Sequence, residues 1–153
     1  GACAHNYKER DIAVMYRNEL VSQLKSLKHE TIQDGVDNDN KSLQEALKMN
    51  KKDYLWIEFH MNASDNQKAT GVESIALSDK RILAQNISAC VNLKKRGDNG
   101  YIDQSLSARG RLAVVNNGGI IVELGFISNK DDLDYILKNV KDICSKIVKV
   151  ITC

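Results

Sequence analysis

The chain has 153 residues, of which 42% are apolar and 27% charged, and a formal net charge of +2. This is chain enough for one domain that buries roughly two-thirds of the surface its unfolded form exposes, and the near-balanced charge argues against a disordered polyelectrolyte and against nucleic acid as a partner. No stretch approaches the roughly 20 apolar residues needed to span a bilayer, so no membrane insertion is expected, and the N-terminus lacks the basic-then-apolar pattern of a secretion signal.

From Glu9 to Leu27 the apolar positions Ile12, Tyr16, Leu20, Leu24 and Leu27 recur at helical spacing, with Ala13 and Val21 widening the stripe, which predicts a helix lying on a core. A short run from Glu30 to Gln33 is followed by Asp34-Gly35-Val36-Asp37-Asn38-Asp39-Asn40, a cluster of turn formers that reads as a loop. Ser42 to Asn50 reads as a short helix and Tyr54 to Phe59 as a buried strand. Gly71 to Leu77 alternates as a strand does, and Ser78-Asp79 offers a cap for a helix carrying Ile82, Leu83, Ile87, Cys90 and Val91. Beyond a Gly- and Asn-containing stretch from Gly97 to Gly110, Leu112 to Val115 reads as a short strand. Gly118-Gly119 introduces the strongest strand, Ile120 to Leu124, and a final helix carries Leu133, Ile136, Leu137, Val140, Cys144, Ile147 and Ile151. Strand and helix alternate, which predicts a single-domain α/β fold: a mostly parallel, twisted sheet with helices on both faces. Lys51-Lys52 and Lys94-Lys95-Arg96 read as solvated faces. Cys3, Cys90, Cys144 and Cys153 lack metal-type spacing and are expected to be reduced thiols.

Two segments run an apolar strand straight into a side chain able to bind metal or move protons: Trp56-Ile57-Glu58-Phe59-His60-Met61-Asn62-Ala63 and Ile120-Ile121-Val122-Glu123-Leu124-Gly125-Phe126-Ile127-Ser128-Asn129. In an open α/β sheet the carboxyl ends of the strands rim the ligand crevice, so His60 and Glu123 can meet in one pocket. An imidazole at His60 must be satisfied by hydrogen bonds or bind a metal. Glu123, flanked by Val122 and Leu124, must be accommodated by a raised pKa, a metal, or a cation as in a salt bridge. Glu9, in Lys8-Glu9-Arg10-Asp11 at the start of the first helix, reads by itself as a capping carboxylate favoured by the helix dipole.

The order of the pieces, with Lys8-Glu9-Arg10-Asp11 opening a helix, then strand-His60-Met61-Asn62-Ala63, then Gly71-Val72-Glu73, then Val122-Glu123-Leu124-Gly125-Phe126-Ile127-Ser128-Asn129, resembles the zinc-dependent N-acetylmuramoyl-L-alanine amidases of the amidase-3 type over nearly the whole chain. The resemblance implies a Zn2+ cofactor, peptidoglycan as the partner, and hydrolysis of the amide between N-acetylmuramic acid and L-alanine. It assigns Glu9 and His60 as metal ligands and Glu123 as the catalytic carboxylate that activates a metal-bound water. The family's remaining histidine ligand precedes a Gly-Ala that here matches Gly1-Ala2, so residues 1–153 are expected to form a catalytic domain whose opening strand and first ligand lie upstream of Gly1. His5 is the other nearby candidate, as a ligand or substrate contact, and otherwise an exposed loop histidine.

His29 reads as a surface residue. Glu58 shares a strand face with His60 and reads as a salt-bridge partner or a carboxylate orienting the imidazole. Glu73 follows the family's Gly-x-Glu pattern and is expected near the cleft without binding metal, while Asn62 is expected to make a structural hydrogen bond. A phage-type lysin would act from the host cytoplasm on the wall, and a bacterial enzyme would be exported to the cell envelope. The alternative is a catalytically inactive wall-binding or regulatory protein that keeps the fold. A nucleotide-binding module fails for want of a glycine-rich phosphate loop between an opening strand and a helix.

Overall fold

The computed structural model describes residues 1–107 and 112–153; the end of the Gly97 to Gly110 stretch lies outside the described residues. The chain opens with a hairpin of β1 (Cys3–Ala4) and β2 (Tyr7–Lys8), followed by α1 (Glu9–Ser26), α2 (Leu43–Met49), β3 (Ile57–Asn62) and β4 (Glu73–Ala76). Then come α3 (Arg81–Ala89), β5 (Tyr101–Asp103), α4 (Ala113–Asn116), β6 (Ile120–Phe126), α5 (Lys130–Lys138) and α6 (Val140–Ile151). The main sheet has strand order β3-β6-β4-β5, with β3 parallel to β6, β4 parallel to β5, and β4 antiparallel to β6. It is the mostly parallel α/β sheet expected, with one antiparallel seam.

Five local readings are corrected. Leu112 to Val115 is not a strand: Gly118 sits at φ +80°, Gly119 N–H donates to Val114 and Gly118 N–H to Val115, so the glycines close helix α4 in a Schellman turn before β6 begins. The last helix is two, because Asn139 leaves the helical region at φ −112°, ψ 19° and turns its amide back onto Tyr135 O at 2.8 Å. Ser78 starts a 3-10 turn (Ser78–Lys80) instead of capping α3. The strand placed at Tyr54 starts at Ile57 and runs on to Asn62. The region before α1, expected as a loop, holds a two-residue hairpin turn at His5 (φ 49°) and Asn6 (φ 65°), the paired left-handed geometry that suits a tight hairpin.

The two sheet faces are unequal. Ile120, Val122 and Leu124 of β6, with Phe59 and Met61 of β3, join the large core under α1, α3, α5 and α6. Ile121 turns to the opposite face, into a small cluster of Ile75, Val114 and Val115 beneath α4. Strand alternation puts Glu58, His60 and Glu123 on that second face, beyond the edge of its apolar patch. Among the described residues no helix is long and apolar enough to cross a membrane, and all four cysteines are free.

One buried carboxylate ties the strand ends together. Asp132, 2% exposed in the first turn of α5, accepts hydrogen bonds from Thr70 Oγ1 (2.6 Å), Gly71 N (3.1 Å) and Phe126 N (3.0 Å). It thereby fastens the start of β4 to the end of β6. Asp132→Ala would strand two buried amides, each costing about 1–3 kcal/mol. The expected loss of about 2–5 kcal/mol should appear as a lower urea midpoint with unchanged slope; an unchanged midpoint would show that the clamp carries no weight.

Candidate active site

The site is built on register. In the parallel β3/β6 pair His60 lies opposite Glu123, and in the antiparallel β4/β6 pair Glu73 lies opposite the same Glu123. Directly opposed residues share a face, so His60, Glu123 and Glu73 form one row across the ends of three strands. Glu123 is fully buried at its centre.

Glu9 reaches this row from the start of α1, where its own N–H is held by Ala2 O at 2.9 Å. Its Oε1 lies 2.6 Å from His60 Nδ1 and 3.4 Å from Met61 N, and its Oε2 accepts from Ala2 N at 2.7 Å. The carboxylate is thus an N-terminal helix residue, as expected, and also the direct partner of the imidazole. Burial pushes Glu9 up, but the hydrogen bond from His60, the Ala2 amide, the His60 charge and the Met61 amide outweigh it and bring it down to about 2.

His60 carries carboxylates on both nitrogens, since Glu58 Oε2 stands 3.5 Å from Nε2. Burial pulls the imidazole down, yet Glu58, Glu9 and the charge of Glu123 together push it up to about 10. Its side chain is 27% exposed, so the ring sits at the mouth of the site. Glu9 and Glu58 address opposite nitrogens of the ring and cannot both share one ion with it.

Glu73 accepts from Asn62 Nδ2 at 3.2 Å and from Arg96 Nε at 2.6 Å, so Asn62 makes a structural hydrogen bond at the cleft. His5 is exposed; its Nε2 lies 3.2 Å from Ser128 O, and it lines a separate rim cavity with Gln67, Lys68 and Asn129. His29 is exposed. Two residues escaped the sequence reading. Asp132 looked like an ordinary acidic residue in a first helical turn, and Arg96 looked like the end of a solvated charge run. Nothing local marks either one, because the partner that gives each its role is distant in sequence, 23 positions for Arg96–Glu73 and 61 for Asp132–Gly71.

The donor types suit a zinc ion: an imidazole nitrogen and a carboxylate oxygen are already in contact, with a further buried carboxylate beside them. Two donors on one tetrahedral zinc at ~2.0–2.1 Å stand roughly 3.3 Å apart, so Glu9 and His60 would part by roughly 0.7 Å to admit it. The set is short by one ligand, as no group of three His, Cys, Asp or Glu able to hold a metal occurs among the described residues.

A family model described as N-acetylmuramoyl-L-alanine amidase matches residues 1–153. Among solved structures, one assigned as an N-acetylmuramoyl-L-alanine amidase from Neisseria meningitidis is 30% identical, covering 99% of this chain and 86% of that one with a TM-score of 0.85. The catalytic domain of CwlV, an N-acetylmuramoyl-L-alanine amidase from Bacillus (Paenibacillus) polymyxa var. colistinus, is 19% identical, with 99% and 88% covered and a TM-score of 0.82. The catalytic domain of the CD27L endolysin targeting Clostridia difficile is 23% identical, with 94% and 83% covered and a TM-score of 0.73. No curated protein sequence matches the chain significantly.

The ionic contacts set a pH window for the metal-free protein. His60 rises from 6.5 to about 10, so its stabilisation is complete below pH 6.5 and is lost as pH climbs through about 10. Glu9 falls from 4.5 to about 2, so its stabilisation is complete above pH 4.5 and is lost as pH drops through about 2. Urea midpoints of the metal-free chain should therefore peak between pH 4.5 and 6.5 and decline on both sides. Glu9→Gln should flatten the acid flank and weaken the alkaline one; a profile identical to that of the unmodified protein would refute the pairing.

Proposed function

Because the chain belongs to the N-acetylmuramoyl-L-alanine amidase family, we propose that Glu9 and His60 hold a catalytic zinc ion and that Glu123 moves the proton in hydrolysis of the amide between N-acetylmuramic acid and L-alanine. By family and fold the protein is an N-acetylmuramoyl-L-alanine amidase acting on peptidoglycan. The observation that carries the finer reading is the 2.6 Å contact of Glu9 with His60 beside the fully buried Glu123 in register with it. Peptidoglycan lies in the cell envelope, so that is where the protein acts.

A third zinc ligand would come from a strand seated along β3. Among the described residues β3 pairs only with β6, and its other edge opens on a groove of ≈ 720 Å³ lined by Trp56, Ile57, Phe59 and His60 with Leu20 and Leu24 of α1. Backbone groups on such an edge are ready to pair with another strand. A residue at the end of a strand placed there would lie next to His60.

When bound, zinc supplies a polarising charge for the amide carbonyl and lowers the pKa of a water to about 7. Glu9 fixes the imidazole of His60 and is itself held by the Ala2 amide, so the pair is oriented before any ion arrives. Glu123 accepts a proton from the attacking water and returns it to the departing alanine nitrogen, which leaves as an amine. It is fully buried and lies opposite His60 in the β3/β6 register, so it faces the ring from the neighbouring strand.

The test combines metal analysis with wall digestion. The zinc-loaded protein should hold about one zinc per chain and release new N-terminal alanine from purified wall. Glu123→Gln should keep the zinc and lose at least roughly 100-fold in rate, whereas His60→Ala should lose both zinc and cleavage. Wall bound without cleavage by a zinc-free chain would instead support the inactive, wall-binding reading.

A further inference from the structure

Resting on the amidase reading, we propose that Arg96 is a substrate-binding residue that takes the free α-carboxylate of the second residue of the released peptide. Its place in the fold puts it at the site. Strand β4 runs antiparallel to β6, so β4 begins at the sheet end where β3 and β6 finish. Val72, at that beginning, is bonded to the chain around Arg96 from both sides: Val72 N donates to Lys94 O (2.9 Å) and Arg96 N donates to Val72 O (3.0 Å).

The guanidinium has two partners, and its Nη edge is left open among the described residues. Arg96 Nε donates to Glu73 Oε2 at 2.6 Å, and its plane lies over the Phe126 ring at 5.0 Å. Glu73 is itself fixed by Asn62, which donates to its other oxygen. Among the described residues nothing accepts a hydrogen bond from Nη1 or Nη2, and the side chain is 40% exposed. An arginine whose only task is to neutralise Glu73 would spend its paired N–H groups on that carboxylate. Here a single Nε–H does so, leaving the Nη edge, which is built for two parallel hydrogen bonds to a planar anion.

Reach decides which anion fits. His60, Glu123 and Glu73 occupy adjacent strands at roughly 4.8 Å spacing, so Glu73 stands roughly 10 Å from His60. That is about three residues of extended peptide, and the guanidinium, 5.0 Å from the ring of Phe126 on β6, the strand between Glu73 and His60, shortens the gap to about two. A peptide leaving from a bond held at His60 would therefore bring its second residue under the Nη edge. In wall peptides that residue is an acidic amino acid linked through its side chain, and its α-carboxylate is either free or amidated. Arg96 would favour the free acid.

Binding tests this without any chemistry at the scissile bond. The probes are L-alanyl-D-glutamate with its γ-carboxyl capped as a methylamide, and the same peptide with its α-carboxylate also converted to the amide. Each is titrated by NMR into the native chain, Arg96→Gln and Arg96→Lys. The native chain should bind the acid about tenfold more tightly than the amide. Arg96→Gln should bind both at the amide's level, and Arg96→Lys should keep part of the preference. Equal binding by the native chain, no binding of either probe, or a preference that survives Arg96→Gln would overturn the proposal. If Arg96→Gln fails to fold, Arg96→Lys carries the test: an undiminished preference there sinks it. Failure of the amidase reading shows elsewhere, as a wall digest without new N-terminal alanine from a protein that still separates the two peptides.

Discussion

Everything at this site follows from the register of β3 against β6. Side chains alternate along a strand, so a slip of one residue would send His60 into the large core and bring Phe59 or Met61 to the site. The slip is prevented by burial: Phe59 and Met61 are held under α1, and every residue of β6 is buried. The hydrophobic pattern of two short strands thereby sets a polar geometry, with His60 opposite Glu123 and Glu9 delivered to the ring by the first residue of a helix. Packing on one face of the sheet determines the chemistry on the other.

The carboxylates around His60 set its charge state. Glu9, Glu58 and Glu123 all act electrostatically on one imidazole, which even when protonated carries a single positive charge. Glu73 stands apart from them, paired with Arg96. Gathering carboxylates at a sheet end costs free energy unless something positive is drawn in. Those carboxylates together hold His60 well above an ordinary imidazole, so in the metal-free protein the ring keeps its proton at neutral pH.

Much of this was legible in the sequence, for definite reasons. Amphipathic spacing located α1 within a residue of its start, and the apolar runs leading into His60 and Glu123 marked strands whose last polar residue faces a crevice. Those signals are local. What escaped depends on distant partners or on a few degrees of backbone: Asn139 breaks the final helix, Gly118 turns Leu112 to Val115 into a helix rather than a strand, and Asp132 differs from its neighbour Asp131 only in what surrounds it. Arg96 is the clearest case. Within Lys94-Lys95-Arg96 each residue has a different fate, since Lys94 is exposed, Lys95 turns its ammonium onto the carbonyls of Val91 and Leu93, and Arg96 lies on Glu73 and Phe126.

The reversed strand β4 makes sense of the whole arrangement. An all-parallel sheet offers its carboxyl ends to a ligand and keeps its amino ends at the far side. With β4 antiparallel to β6, the amino end of one strand joins the carboxyl ends of two others, so residues that begin β4 and residues that end β3 and β6 share one rim. Asp132 fastens that junction by accepting from Gly71, just before β4, and from Phe126, at the end of β6. Gly71 itself takes φ +115°, where a Cβ would stand 2.5 Å from Lys94 O, so this turn has no room for a side chain. A glycine, a buried carboxylate and one reversed strand thus hold Glu73, with Arg96 bonded to it, in one row with Glu123 and His60.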